Sequence, residues 1–85
     1  MNNLKSQPFI NVEPGKIIKR EMDALNWTQK NLSEITNLPV ELINQLIENK
    51  QSITTEIAIR LAKAFNSSPE FWTNLERNYR KRMKG

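Results

Sequence analysis

The 85-residue chain contains no cysteine and no histidine. Without cysteine there are no disulfide cross-links and no thiol chemistry; without either residue, imidazole acid–base catalysis and nearly every zinc ligand set are excluded. Only two glycines are present, and no glycine-rich phosphate loop can be built from them. Apolar runs extend over a few residues only, too short to cross a bilayer, and the first residues lack the basic-then-apolar pattern of a secretory signal. These absences predict a soluble cytoplasmic protein with no cofactor and no metal. At this length one domain is expected, burying about 60% of its unfolded surface and therefore dependent on efficient packing.

What is present is an excess of positive charge, 13 basic residues against 9 acidic, or +4 net. A basic chain invites a nucleic-acid partner, but the excess is unevenly placed. Arg77, Arg80, Lys81, Arg82 and Lys84 follow Glu76 with no acid among them, and the rest of the chain holds slightly more acid than base. Residues 81–85 read as a basic tail. Such a run is solvated by default, and can also grip phosphates without sequence preference or dock on an acidic partner.

The chain opens with an aperiodic, Asn-rich segment, residues 1–13, read as a flexible arm in which Phe9, Ile10 and Val12 can pack back on the domain. Residues 14–80 then carry five helical patterns. The first runs from about Pro14 to Leu25, with proline in its first turn and Ile17, Ile18, Met22 and Leu25 on one stripe. Thr28 caps the second, which carries Leu32 and Ile35 and ends near Thr36. Pro39 opens the third, which runs to about Glu48. Thr54 caps the fourth, where Ile57, Ala58, Leu61, Ala62 and Phe65 recur at helical spacing. Ser68-Pro69-Glu70 starts the fifth, which presents Phe71, Trp72, Leu75 and Tyr79. The fold class is all-α. The aromatic stripe of the fifth helix reads first as core packing, with a partner-docking surface as the alternative.

Five helices need chain reversals, and glycine is scarce. The four expected reversal points carry Asn26, Asn37, Asn49 and Asn66. Asparagine is the best non-glycine residue at positive φ, because its short amide bonds locally. The four positions are therefore predicted to be left-handed helix ends.

The second and third helices with their turn form a helix-turn-helix unit, whose second helix can lie in a DNA major groove. On that helix Leu42, Ile43, Leu46 and Ile47 fall on one side, and Glu41, Asn44, Gln45 and Glu48 on the other. Asn44 and Gln45 can each make the paired amide contact to adenine N6 and N7. Glu41 can accept from cytosine N4 and Val40 can touch a thymine methyl, although Glu41 and Glu48 also bring two negative charges toward phosphates. Thr28 and Gln29 open the second helix, whose free N–H groups can meet a phosphate. Lys30 and Lys50 place charge at either end of the unit, and Thr54 opens the fourth helix. Periodicity alone leaves three uses for the polar face open: base readout, simple solvation, or a protein partner.

From Pro14 to Tyr79 the sequence resembles the Xre-type helix-turn-helix proteins related to lambda-type phage repressors, and more closely the HigA-type antitoxins. The stretches that carry the likeness are PGKIIKREM at 14–22, WTQKNLSEI at 27–35, and NKQSITTEIAIRLAKAFNSSPEFWTNLERNYR at 49–80. The resemblance implies a five-helix lambda-repressor-like domain that dimerises on an inverted-repeat operator, represses its own transcription, and neutralises a small mRNA-cleaving toxin of the HigB type. It assigns Gln29 to the DNA backbone, Val40, Glu41, Asn44 and Gln45 to base reading, and Lys50 to the basic loop position. The chain departs from the family pattern at Asn37 and Asn49, where glycine is usual. It departs again at Pro39, Val40 and Glu41, where Ser or Thr followed by basic residues is common. Other readings are a stand-alone Xre-type regulator, or a protein-binding module that no longer reads DNA. An enzyme is not expected, since no carboxylate or amine pair converges in the pattern of a catalytic site.

Overall fold

Five helices joined by short turns run through residues 12–84, the part of the chain that the computed structural model describes. They are α1 (Pro14–Ala24), α2 (Gln29–Thr36), α3 (Val40–Ile47), α4 (Thr55–Phe65) and α5 (Pro69–Lys84). No strand occurs among the described residues, and none of the helices is long and apolar enough to cross a membrane.

The helix starts follow from side-chain chemistry. Thr28 Oγ1 accepts the Asn31 N–H at 3.1 Å, and Asn31 Oδ1 accepts the Thr28 N–H at 2.9 Å, a reciprocal capping box. Thr54 Oγ1 accepts from the Ile57 N–H and Ser68 Oγ from the Phe71 N–H, at 3.2 and 3.1 Å. The helix ends share one device. Asn26, Asn37, Asn49 and Asn66 have φ of 63°, 64°, 61° and 56°, the only described residues at positive φ. After each, the next N–H reaches back five residues: Trp27 to Met22, Leu38 to Ser33, Lys50 to Gln45 and Ser67 to Ala62, at 2.8 to 3.2 Å. These are Schellman closures, and the sequence expectation for all four asparagines is met.

The helices enclose a single core. Ile18, Leu32, Ile43, Ala58 and Leu61 are fully buried, and Met22, Leu46, Trp72 and Leu75 nearly so. α1 packs on α3 and α5, α2 on α3 and α4, and α4 on α5. The stripe of α5 is core, as read from its spacing. The Trp72 indole is closed off by a hydrogen bond to Ser67 Oγ at 2.9 Å, and it stands in an aromatic row in which Trp27, Phe65, Trp72 and Phe71 follow at centroid distances of 5.6, 5.8 and 5.0 Å.

One inter-helix approach is closer than any side chain allows. A Cβ on Gly15 would lie 2.2 Å from the carbonyl oxygen of Ile47. The start of α1 thus presses directly on the end of α3. Asn49 locks the junction: its Oδ1 accepts the Gly15 N–H at 2.9 Å, and its Nδ2 donates to Glu13 Oε1 at 3.1 Å. An N–H that α1 cannot satisfy internally is met by a residue 34 positions away.

Two segment expectations change. Glu13 belongs to the fold as the residue before α1, and Val12 packs against the core; residues 1–11, with Phe9 and Ile10, lie outside the described residues. The expected tail is helical as far as Lys84. Its cations suit the negative end of the helix dipole, and Arg80 is held by Glu76 one turn back and by Ser52 Oγ at 2.8 Å.

Replacing Gly15 with alanine should destabilise the fold by about 2 kcal/mol in urea unfolding, because backbone has to move apart. Asn49→Gly should lose about 1 kcal/mol with the side-chain bonds. Asn49→Ala should lose a further ~1–2 kcal/mol for the left-handed backbone. Equal stability of the glycine and alanine variants would contradict the conformational part of this account.

Candidate nucleic-acid interface

The polar face of α3 is held out by what its other face buries. Ile43 and Leu46 are buried and Leu42 and Ile47 half-buried, and this side packs on α1 and α2. The opposite face presents Val40, Glu41, Asn44, Gln45 and Glu48, all exposed. The side chains of Asn44 and Gln45 hydrogen-bond to no described residue, so both amides are available whole to an outside partner.

The angle between α2 and α3 is set by Ser33. Its carbonyl accepts the N–H groups of Asn37 at 2.8 Å and Leu38 at 3.2 Å, while its hydroxyl donates to the Leu38 carbonyl. Arg60 on α4 reinforces the junction, donating from Nη1 to the Thr36 carbonyl at 2.8 Å. Thr36, buried, turns its hydroxyl onto the Leu32 carbonyl at 2.7 Å. The turn of the unit is therefore braced from two elements, and α3 leaves α2 in one direction.

The backbone-contact candidates sort into two kinds. The hydroxyls of Thr28 and Thr54 are already occupied by their own helices. What they leave for a phosphate is backbone: in α2 the Gln29 and Lys30 N–H groups have no partner among the described residues, and they sit at the positive end of the helix dipole. The Gln29 side chain is half-buried, while Lys30, Lys50 and Thr54 are exposed. Pro39 precedes α3 with φ −61° and ψ 148° and offers no N–H and no capping side chain.

The two acids on the polar face of α3 are not equivalent. Glu48 has a counter-ion in Lys50, with Nζ 3.5 Å from Oε1. Glu41 has none among the described residues. Both Glu48 and Lys50 are well exposed, so their pairing is weak in water, and Lys50 can exchange it for a phosphate.

Ser33, Arg60, Ser52 and Arg80 were absent from the expected site and its frame. Arg80 is the informative omission. Its bond to Ser52 brings the basic end of α5 beside the loop that carries Lys50. Arg80, one of the five cations that follow Glu76 in the sequence, thus adjoins the loop that leaves the helix-turn-helix unit. No periodicity links positions 52 and 80; the contact exists only in three dimensions. The described residues contain no group of three or more carboxylate, cysteine or histidine side chains placed to hold a metal.

A helix-turn-helix family model matches residues 18–72 of the chain. The chain is similar to the uncharacterised HTH-type transcriptional regulator YbaQ of Escherichia coli, 36% identical over 64 residues, which cover 74% of this chain and 57% of that protein. It is also similar to antitoxin HigA-1 of Vibrio cholerae, 32% identical over 77 residues, covering 89% of this chain and 70% of the antitoxin. The chain spans less than three-fifths of the length of YbaQ and of an uncharacterised HTH-type transcriptional regulator of Haemophilus influenzae. Among solved structures, a HigA-family addiction module antidote protein of Coxiella burnetii superposes with a TM-score of 0.82 at 33% identity, covering 85% of this chain and 79% of that one. Protein PA4674 of Pseudomonas aeruginosa, solved in complex with its operator DNA, superposes with a TM-score of 0.75 at 26% identity, over 80% of this chain and 74% of that one.

The bonding pattern separates the frame from the exposed polar face of α3 in a way stability measurements can check. Thr28→Ala removes a capping-box oxygen and should cost about 1 kcal/mol. Asn44→Ala and Gln45→Ala break no side-chain bond to a described residue and should leave thermal unfolding within about 0.5 kcal/mol of the unsubstituted protein. A large loss of stability at Gln45 would mean that its amide serves the fold.

Proposed function

Because the chain belongs to the Xre-type helix-turn-helix family, whose members are DNA-binding regulators and antitoxins and not enzymes, we propose that it binds operator DNA as a homodimer. In this reading it represses its own transcription in the cytoplasm and neutralises a small mRNA-cleaving toxin of the HigB type. The observation that carries the DNA reading is the free amide pair, Asn44 and Gln45, on the outward face of a helix whose other face is core. Two copies of α3 enter successive major grooves about 34 Å apart. Asn44 and Gln45 take adenine N6 and N7, Glu41 accepts from cytosine N4, and Val40 lies against a thymine methyl. Thr28, Gln29, Lys30, Lys50 and Thr54 position the protein on phosphates through side chains and helix N-termini.

The likeness to HigA-1 and to the Coxiella burnetii antidote protein supports the antitoxin role. A second reading, a stand-alone transcriptional regulator, draws on the relatives named simply as HTH-type regulators. Both share the same DNA contacts and differ in the partner. A small toxin reading frame beside the gene, whose product co-purifies with this protein and loses RNA cleavage when bound, separates them in favour of the antitoxin.

Binding to the protein's own upstream DNA tests the shared part. Gln45→Ala should narrow the difference between the operator and base-substituted operators about 10-fold or more. Gln29→Ala should weaken binding to all of them alike. Glu41→Gln should raise affinity, most strongly at low salt, since it removes an unpaired negative charge near phosphates. Removing residues 81–85 should flatten the salt dependence and leave base preference unchanged. Unchanged affinity and unchanged preference in both glutamine variants would refute this use of α3.

A further inference from the structure

The outward side of α4 carries apolar surface that the core does not use. Ile59 is 43% exposed, and Ile35, near the end of α2, is 49% exposed. The two line one groove of about 300 Å³ between α2 and α4, with Glu56, Arg60 and Lys63 on its α4 side. Single exposed aliphatics are ordinary on a protein surface, whereas two sharing a polar-rimmed groove have the form of a contact surface.

The charge order on α4 states which partner fits. Glu56, Ile59 and Lys63 follow at spacings of three and four, so they lie on one face. The acid stands toward the N-terminal end, the base toward the C-terminal end, and the isoleucine between them. Two such faces laid antiparallel across a two-fold axis through the middle of the helix set Glu56 of each copy opposite Lys63 of the other, and Ile59 against Ile59. Laid parallel, they oppose like charges. Antiparallel α4 helices also align their dipoles favourably. Glu56 gives one carboxylate oxygen to Arg60 Nε at 2.8 Å, leaving the other for a lysine, and Lys63 has no carboxylate partner among the described residues.

We infer that this face receives a second copy of the same chain, in an isologous contact centred on Ile59 and flanked by reciprocal Glu56–Lys63 pairs, with Ile35 covered at its edge. The inference rests on the homodimer proposed above and adds the surface through which it forms. It also leaves the polar face of α3 free, since none of its residues lines the groove.

The absence of cysteine makes the contact addressable. Ile59→Cys places a single thiol beside the two-fold axis, and a short bis-maleimide should link most of the protein into covalent dimers. Leu25→Cys, exposed at the end of α1, should stay largely unlinked. In sedimentation equilibrium, Ile59→Glu should weaken the dimer at least 10-fold while circular dichroism remains helical. Lys63→Glu should weaken it as well, and combining Lys63→Glu with Glu56→Lys should restore association. Dimers that persist in Ile59→Glu, with the Ile59→Cys variant linked no better than Leu25→Cys, would place the interface elsewhere and leave the dimer reading standing. A monomer at every concentration of the unsubstituted protein would overturn both.

Discussion

The contact between Gly15 and the Ile47 carbonyl sets the position of α3 in the bundle. Hydrogen in place of a side chain lets α1 lie directly on the end of α3, and Asn49 pins that approach with one bond to Gly15 and another to Glu13. With its C-terminal end held there, and its N-terminal end directed by Ser33 and by Arg60 on the Thr36 carbonyl, α3 is fixed at both ends by bonds that no residue of its outward face makes. That division lets the side chains of Asn44 and Gln45 face outward without bonding to any described residue. A reading helix can vary its exposed residues freely only when its placement does not depend on them.

Helix boundaries were legible because each is written in local chemistry. Thr28, Thr54 and Ser68 cap, Pro14 and Pro69 fall in first turns, and Asn26, Asn37, Asn49 and Asn66 end helices in the left-handed region. The buried stripe of α5 and the two faces of α3 were legible for the same reason, since a period of 3.6 is a local property. What escaped were contacts between positions far apart in the chain: Gly15 with Ile47, Arg60 with Thr36, Arg80 with Ser52. A glycine inside a helical pattern carries no mark of the carbonyl it will meet. The helical end of α5 escaped differently. Its density of basic charge resembles a solvated tail, and the partner that holds Arg80, Glu76, lies a turn away inside the preceding pattern.

Charge and specificity occupy different places in this molecule. The polar face of α3 holds two acids, one balanced by Lys50 and one with no counter-ion among the described residues, while the excess of cations lies along the last turns of α5. Arg80 carries that excess to the edge of the helix-turn-helix unit through Ser52. Non-specific attraction to phosphates falls steeply with salt, whereas amide contacts to base edges do not depend on it in the same way. Under the proposed use of α3, such a protein would lose affinity before preference as salt rises, and its acids would work against loose binding to DNA that offers no matching amide contact.

Among the four helix-ending asparagines, Asn49 shows why its departure from glycine is more than a tolerated exchange. Glycine supplies positive φ at an entropic cost in the unfolded chain. Asparagine supplies it with a smaller loss of freedom and brings an amide that can bond. At position 49 that amide does what glycine cannot, reaching across to Gly15 and Glu13 and closing the start of α1. At positions 44 and 45 the same amide chemistry finds no partner among the described residues. Whether such a group is structural or functional is decided by where its donors and acceptors end: in the protein for Asn49, in solvent for Asn44 and Gln45. The amide is the same at the three sites; only the packing of α1 against α3 tells them apart.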